Sequence, residues 1–332
     1  MQPPVFATFH DAYRAVLELV STHPQHETST RGNHSRERLN VSFTLADPRH
    51  RTPALAARRT NIVFNYAEVL WYLSGRDDVE MIGYYAPRLR TLAADGRRLT
   101  GTAYGPRLFA PRGDSQFDRA LELLGKDPDS KRAAMTIMRP GEFADPANPD
   151  VACTLAVQFL IRAGHLHTVV FMRGNDALIG LLCDVFSFTF LAEFAALQLG
   201  VGLGTYTHHV ASMHLNTPDL PQAQAILAEP AAPPAPAEAM PVGTTWTTVA
   251  QILHWEEQLR AGRCALTAAQ VAALPLEPYW QQVVLLWEVY RQITHQGGQP
   301  ITAEVLAALT PQHRWLIACR WPDRLPSTGE RR

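Results

Sequence analysis

The spacing of apolar residues changes twice between residues 151 and 200. One set recurs at every second position, which predicts a β-strand: Leu155, Val157, Phe159 and Ile161. Gly164 marks a turn, and residues 167–172 predict a second strand, antiparallel to the first. From Phe186 the apolar spacing becomes helical, and Gly200 supplies a helix end.

Other elements follow from the same patterns. Thr8 precedes an amphipathic helix, with Asp11 as its capping acid. The polar, turn-rich stretch 23–40 predicts a loop, and residues 39–45 predict a short strand. Further strands are predicted at 133–138 and 203–214. Helices are predicted at 61–73, 185–199, 249–260, 267–273 and 279–293, with a last short segment from residue 303.

Composition sets limits on the kind of partner. The chain has 332 residues, with 30 basic and 31 acidic side chains, so no global field favours nucleic acid or a membrane. Its 4 cysteines contain no CxxC pair, which favours a reducing compartment over a disulfide framework. No uninterrupted run of about 18 apolar residues indicates a membrane span. We expect a cytoplasmic protein.

Several polar residues allow two interpretations. The arginines of the 23–40 stretch belong to a solvated loop or to a mobile phosphate clamp. Glu68, the only acid in an apolar helix, faces solvent or is buried with a raised pKa. The small-residue segment 101–105 is a turn or a close approach to a ligand. Three histidines within residues 208–214 are divided between strand faces, so we predict no metal site.

Residues 229–242 are rich in Pro and Ala and predict an extended linker. We therefore predict a catalytic domain at 1–228, the linker at 229–242, and a helical extension at 243–332. The apolar stripe of residues 280–287 in that extension indicates packing against the first domain or a partner subunit.

Five motifs resemble the thymidylate synthase superfamily over roughly residues 5–218. They are, in chain order, Glu68-Val-Leu-Trp-Tyr-Leu73, Tyr104-Gly105, Lys131-Arg132, Cys153-Thr154 with Gln158-Phe159, and Arg173-Gly174-Asn175-Asp176 with Gly180. The resemblance implies an α/β (α+β) fold, a mixed and largely antiparallel sheet flanked by helices. It also implies covalent catalysis on a pyrimidine nucleotide, with 5,10-methylenetetrahydrofolate as co-substrate and no metal.

The resemblance also assigns roles. Cys153 is the nucleophile, Glu68 organises water and proton transfers, and Tyr104 belongs to the catalytic loop. Arg173 holds the phosphate and lowers the thiol pKa, and Asp176 and Gly180 lie at the folate. The remaining phosphate ligands are Arg31 and the pair Lys131 and Arg132, which crosses from the other subunit of a homodimer with shared active sites.

Asp184 stands where the synthases have an asparagine that pairs with uracil. A carboxyl group accepts from the cytosine N4 amino group and, when protonated, donates to N3. The same change marks the cytidylate hydroxymethylase branch. Asp184 can also be read as a helix N-cap before residue 185.

Other departures concern the sugar and the folate. Ser212 and His214 replace the family's sugar-binding His-x-Tyr, and with Ala177 they are the candidate sugar contacts. Ile82 replaces a tryptophan beside the folate, which favours quenching of the methylene intermediate by water. Thr154 and Gly174 replace a histidine and a serine of the family pattern.

The sequence thus predicts a one-carbon (hydroxymethyl) transferase that converts CMP to 5-hydroxymethyl-CMP, in nucleoside-antibiotic metabolism. The alternatives are dCMP hydroxymethylation, ordinary methylation of dUMP, and a catalytically inactive nucleotide-binding relative.

Overall fold

A computed structural model describes residues 2–30, 32–109, 115–230 and 237–326. Its strands form a mixed sheet in the order β1-β3-β8-β6-β5-β4, with β2 paired to β3 and β7 to β8. The strands are β1 (Val5–Phe6), β2 (His26–Thr30), β3 (Asn33–Leu45), β4 (Ala134–Thr136), β5 (Thr154–Arg162), β6 (His165–Met172), β7 (Asn175–Asp176) and β8 (Gly202–Asn216). This confirms the predicted α/β class.

Antiparallel and parallel pairs share the sheet. The pairs β2–β3, β3–β8, β4–β5 and β5–β6 are antiparallel. The pairs β1–β3, β6–β8 and β7–β8 are parallel. The predicted β5–β6 hairpin is confirmed, and its turn has positive φ at Ala163 and Gly164.

The helices of the described residues flank this sheet or form the C-terminal region. They are α1 (Phe9–Thr22), α2 (Ile62–Leu73), α3 (Val79–Tyr85), α4 (Gly105–Leu108), α5 (Gln116–Lys126), α6 (Gly180–Leu199), α7 (Leu220–Ala228), α8 (Trp246–Arg260), α9 (Ala268–Ala272), α10 (Pro278–His295), α11 (Ala303–Ala308) and α12 (Pro311–Arg320). Thr8 caps α1 by accepting from the Asp11 amide, as predicted.

The chain divides into two compact units. The first contains residues 1–58 and 68–239, and the second contains residues 59–67 and 240–332. All candidate site residues belong to the first unit. In the second unit, the predicted apolar stripe of α10 is buried, and Tyr66 makes edge-on ring contacts with Tyr279 and His313.

Helix α6 is the core helix of the first unit. By length and composition it could cross a membrane, but 78% of its apolar window is buried inside the protein. Gly200 ends it with φ 66°, as predicted. The predicted start at residue 185 is wrong, because the helix begins at Gly180. Asp184 therefore lies inside the helix and is not its N-cap.

The prediction of a loop over residues 23–40 is also wrong. Residues 26–30 and 33–45 form a hairpin, β2–β3, in which Thr30 pairs with Asn33 and Gly32 has φ 79°. The stretch is polar because much of β2 is exposed, so no apolar alternation marks it. Backbone pairing of β3 with β8 extends the strand far beyond its apolar end.

Candidate active site

Cys153 and Arg173 lie together where β5 begins and β6 ends. The Arg173 Nη2 is 3.7 Å from the Cys153 Sγ, and the Arg173 amide donates to the Cys153 carbonyl at 2.9 Å. Two further bonds fix the guanidinium, from Nε to the Ala152 carbonyl at 2.7 Å and from Nη2 to the Val151 carbonyl at 2.9 Å. The sequence prediction that a cation stands beside the thiol is met by this geometry.

The thiol pKa has a different net direction from the one expected. Burial raises the pKa of Cys153, and Arg173 only partly offsets that rise. The carboxyl groups of Asp184, Asp150 and Asp176 raise it further. Arg173 therefore lowers the thiol pKa as predicted, but burial and three acids outweigh one guanidinium, and the net shift is upward.

Glu68 and Asp184 form a pair of neighbouring acids, of which Glu68 is buried and Asp184 is half-buried. Burial raises the pKa of Glu68 to about 8, and the Asp184 carboxyl adds to that rise. Hydrogen bonds from Ser187, at 3.2 Å, and from Tyr72 act in the opposite direction. Burial also raises the pKa of Asp184 to about 7. Of the two interpretations of Glu68, the structure selects the buried one.

Asn175 holds the Asp184 carboxyl in place. Its Nδ2 donates to Asp184 Oδ2 at 2.6 Å, and this bond acts against the rise in the Asp184 pKa. Its Oδ1 is buried and has no hydrogen-bond partner within the described residues. Gly180 lies above this pair, since a Cβ at that position would come within 3.3 Å of the Asn175 Nδ2.

Aromatic rings border the acids and the thiol. Tyr104 stacks on Tyr72 at 5.1 Å and on Phe188 at 5.9 Å between ring centroids. Burial raises the Tyr104 pKa, and Asp184 and Cys153 contribute, so its hydroxyl lies near both groups. Thr154, which replaces the expected histidine, is hydrogen-bonded to Tyr104 and donates to the Met172 sulfur at 3.0 Å.

The loop that carries Tyr104 is anchored to the segment before Cys153. Asp150 accepts hydrogen bonds from the amides of Gly101 and Thr102, each at 2.8 Å. A Cβ at Gly101 would stand 2.2 Å from the Asp150 carbonyl oxygen. The small residues of this loop therefore allow a close approach to the chain's own backbone, which fixes Tyr104 relative to Cys153.

Asp176 lies at the start of α6. Its Oδ1 accepts from the amides of Leu178 at 3.0 Å and Ile179 at 2.5 Å. Its Oδ2 accepts from Asn216 Nδ2 at 2.9 Å. The Asp176 carboxylate thus stabilises the turn before α6. The sequence analysis had given a similar role, that of helix N-cap, to Asp184.

The candidate sugar residues flank the strand segment between Arg173 and α6. Asp176 pairs with His214 across β7 and β8, and the Ala177 amide donates to the His214 carbonyl at 2.7 Å. Ser212 Oγ donates to Glu37 Oε1 at 2.5 Å. Ser212 and His214 are partly exposed, whereas the Ala177 methyl is fully buried.

Two predicted phosphate ligands lie elsewhere in the same chain. The Lys131 carbonyl accepts from Gln158 Nε2, and Arg132 is the next residue. Gln158 is five residues from Cys153 along β5, about 17 Å in an extended strand.

The folate candidate Ile82 is fully buried in α3. Arg31, the third predicted phosphate ligand, lies outside the described residues.

Sequence reasoning missed four neighbours of the acids. Tyr72 lies one helical turn after Glu68, and Ser187 lies three residues after Asp184, so helical spacing could have identified both. Asn175 stands within a quoted motif but had no role. Tyr206 is raised in pKa by burial and by Asp184, and no local pattern marks it.

The mixed sheet and this cluster define a site in which a thiol, a guanidinium, a buried acid and a half-buried acid surround one ligand position. The thymidylate synthase family model matches residues 7–245, and the chain belongs to this family.

Curated relatives carry two kinds of names. A deoxyuridylate hydroxymethyltransferase of Delftia phage PhiW-14 is 34% identical over 53% of this chain and 51% of its own length. The deoxyuridylate hydroxymethyltransferase of Bacillus phage SP01 is 31% identical over 57% and 52%. A putative thymidylate synthase of Methanothermobacter thermautotrophicus is 26% identical over 65% and 94%. The chain spans about half the length of the two phage relatives.

Proposed function

We propose that this chain transfers a folate one-carbon unit to C5 of a cytidylate and releases 5-hydroxymethyl-CMP. The observation that carries the proposal is Asp184, a half-buried acid whose pKa is raised to about 7 and whose carboxyl group Asn175 holds in a fixed orientation. The family model and the two phage relatives support the reaction class. The choice of cytosine and of ribose goes beyond them.

The chemistry assigned to Cys153 is nucleophilic addition. Its thiolate adds to C6 of the base, and the electron pair moves to C5, which becomes the nucleophile. Ionisation costs free energy in this site because the thiol pKa is raised, so Arg173 and the arriving substrate must favour the thiolate. With 5,10-methylenetetrahydrofolate bound, C5 would bond to its methylene carbon, and loss of the C5 proton would break the carbon–nitrogen bond and release tetrahydrofolate. Water would then add to the exocyclic methylene carbon, and the Cys153–C6 bond would break to release the thiolate.

Glu68 is placed to move protons during these steps. With a pKa of about 8, its carboxyl is mainly protonated at neutral pH and can both donate and accept close to that pH. Ser187 and Tyr72 hold it by hydrogen bonds. We assign it the positioning of the attacking water and the return of protons to the base.

Asp184 is assigned the recognition of cytosine. In its ionised form it accepts from the N4 amino group, and in its protonated form it also donates to N3. The O4 acceptor of uracil would face an ionised carboxylate without a proton between them. Such a mismatch costs about 1–3 kcal/mol, or roughly 10- to 100-fold in specificity.

The co-substrate is 5,10-methylenetetrahydrofolate, which supplies the one-carbon unit when bound. The residues fit such a ligand, because Arg58 and Arg88 lie near Cys183, the neighbour of Asp184, where each acts against the rise in the thiol pKa that burial causes. We assign both arginines to the carboxylates of a folate tail. Arg58 Nε is buried without a partner within the described residues. Asp176, Gly180 and Ile82 remain the candidate pterin contacts.

We also propose a homodimer with shared active sites. The Lys131 carbonyl accepts from Gln158, which lies about 17 Å along β5 from Cys153, so the basic pair begins far from the thiol of its own chain. Phe171 and Leu155 leave 37% and 38% of their surface exposed on the sheet. A second copy seated there would bring its basic pair to the first copy's site.

Hydroxymethylation of dUMP is the second candidate, favoured by the names of the two phage relatives. One assay separates the candidates: methylenetetrahydrofolate with CMP, dCMP or dUMP, followed by product mass and dihydrofolate formation. We expect a hydroxymethyl product from CMP without stoichiometric dihydrofolate. Turnover of dUMP alone, or dihydrofolate formed one for one with product, contradicts the proposal.

A further inference from the structure

Glu37 lies on β3, opposite the candidate sugar residues of β8. It is directly paired with His214 across the two strands. Ser212 lies two residues away on β8, and so on the same face of the sheet. The three side chains therefore form one polar group on that face.

That face also carries Asp176, which pairs with His214 across β7 and β8. Because paired residues share a face, Glu37, His214 and Asp176 lie on the same side of the sheet. This side is open beside Glu37, since Leu39, two residues further along β3, is 48% exposed. The Glu37 carboxylate is thus accessible to a ligand that contacts Asp176.

The Glu37 carboxylate is held but not neutralised. Ser212 Oγ donates to its Oε1 at 2.5 Å, and the described residues provide no ion pair for it. The flanking arginines are directed elsewhere, since Arg36 donates to the Ser21 carbonyl and Arg38 to the His23 carbonyl at 2.8 Å. The Glu37 Oε2 atom remains available as a hydrogen-bond acceptor.

Glu37 lies between the residues assigned to the phosphate and to the base of a nucleotide. The backbone oxygen of Ser212 would be 3.6 Å from a Cβ at Gly174, the residue after Arg173. One residue further, Asn175, which binds Asp184, pairs with Met213. A nucleotide with its phosphate at Arg173 and its base at Asp184 carries its sugar between these ends, beside Ser212.

We infer that Glu37 accepts a hydrogen bond from the 2′-hydroxyl of the ribose and so selects ribonucleotides over deoxyribonucleotides. This rests on the proposed function, because it takes Arg173 and Asp184 as the two ends of the nucleotide site. A carboxylate suits this role because its two oxygens match adjacent hydroxyls, as acidic residues do with the ribose of dinucleotides. Ser212 fixes the carboxylate orientation, and deoxyribose offers no 2′ donor.

The inference is tested by binding measurements on the whole chain. Isothermal titration with CMP, dCMP, UMP and dUMP, without folate, gives four dissociation constants for wild type and for Glu37→Ala and Glu37→Gln. Glu27→Ala, which removes an exposed acid from the adjacent strand β2, is the matched control. Melting temperatures establish that each variant is folded.

We expect Glu37→Ala to weaken CMP binding at least about tenfold, the loss typical of a hydrogen bond to a charged group. Binding of dCMP should change less than about twofold, and Glu27→Ala should leave both unchanged. Glu37→Gln keeps one acceptor of similar size and should fall between. If Glu37→Ala fails to fold, Glu37→Gln decides by the same ratio.

The inference is overturned if Glu37→Ala weakens the binding of CMP and dCMP equally, or weakens neither. It is also overturned if the protein binds none of the nucleotides. The base comparison is separate: tighter binding of UMP than CMP contradicts the proposed function. In that case a shift confined to UMP over dUMP would still support Glu37 as the 2′-hydroxyl acceptor.

Discussion

Glu68 and Asp184 in the first unit, and Glu288 and Glu256 in the second, are buried or half-buried acids in very different surroundings. Within the described residues, neither Glu68 nor Asp184 accepts a hydrogen bond from a lysine or arginine, and burial raises both pKa values. Glu288 accepts from Arg291 at 2.8 and 2.6 Å and from Gln292 at 2.9 Å. Glu256 accepts from Arg260 at 2.8 Å.

The difference separates acids that can exchange protons from acids that hold helices together. A buried charge paired with an arginine is costly to separate, so Glu288 ties α10 to the amide of Leu266 and stabilises the helical unit. Of the two neighbouring acids without such a hydrogen bond, Glu68 is mainly protonated at neutral pH and Asp184 exchanges its proton near that pH, and such groups are frequent at functional sites. By this criterion the chemistry lies in the first unit.

The largest expected effect is that of Cys153→Ala. Loss of the nucleophile removes the covalent step, and we expect turnover to fall at least about ten-thousand-fold. Release of tritium from C5-labelled CMP and product mass measure it, with Cys264→Ala as the control. If the Cys153→Ala protein still releases tritium, Cys153 is not the nucleophile.

Glu288→Ala should act on stability and not on specificity. It removes both hydrogen bonds between Glu288 and the buried Arg291, and loss of one member of a buried ion pair costs about 3–5 kcal/mol of unfolding free energy. Replacing both residues, as Glu288→Leu with Arg291→Met, should recover most of that loss. Urea unfolding measures both variants, and a loss below about 1 kcal/mol for the single change would remove the contrast between the two sets of acids.

Glu68→Gln should alter how stability depends on pH. In the unfolded chain Glu68 ionises near its ordinary pKa of 4.5, but in the fold it keeps its proton up to about pH 8. The folded state thus binds more protons between these values, and its stability falls as pH rises through that window, by at most about 1.4 kcal/mol per pH unit for one proton.

Urea unfolding of wild type and Glu68→Gln at pH 5, 6, 7 and 8 checks this prediction. We expect the wild-type unfolding free energy to decline with pH and the variant to decline less. Asp184, whose pKa is raised to about 7, contributes a remaining slope in the variant. Parallel curves for the two proteins would show that Glu68 is ionised at neutral pH in the fold.

Local patterns predicted the elements that carry most of the site. The alternation in 155–161 located β5, and therefore Cys153 at its start, and the motif around Glu68 located α2. Periodicity did not give the start of α6, because that helix is apolar on nearly all sides and no side chain caps its N-terminus; Asp176 instead accepts from amides just before it.

Contacts between distant residues could not be predicted from spacing. The bond between Ser187 and Glu68 joins positions 119 residues apart, and that between Ser212 and Glu37 joins positions 175 apart. The net rise in the Cys153 pKa comes mainly from burial, and three acids add to it; both arise only in the fold. The part of hairpin β2–β3 before Leu39, which presents Glu37, carries no apolar alternation.

The most direct test of the account is the base preference of Asp184→Asn. An asparagine offers one donor and one acceptor, which complements uracil, whereas Asp184 complements cytosine. We expect wild type to favour CMP over UMP in kcat/KM, and Asp184→Asn to shift this ratio towards uracil by about 10- to 100-fold. An unchanged ratio in the variant, or a wild-type enzyme that already prefers uracil, would contradict the assignment of Asp184 to cytosine.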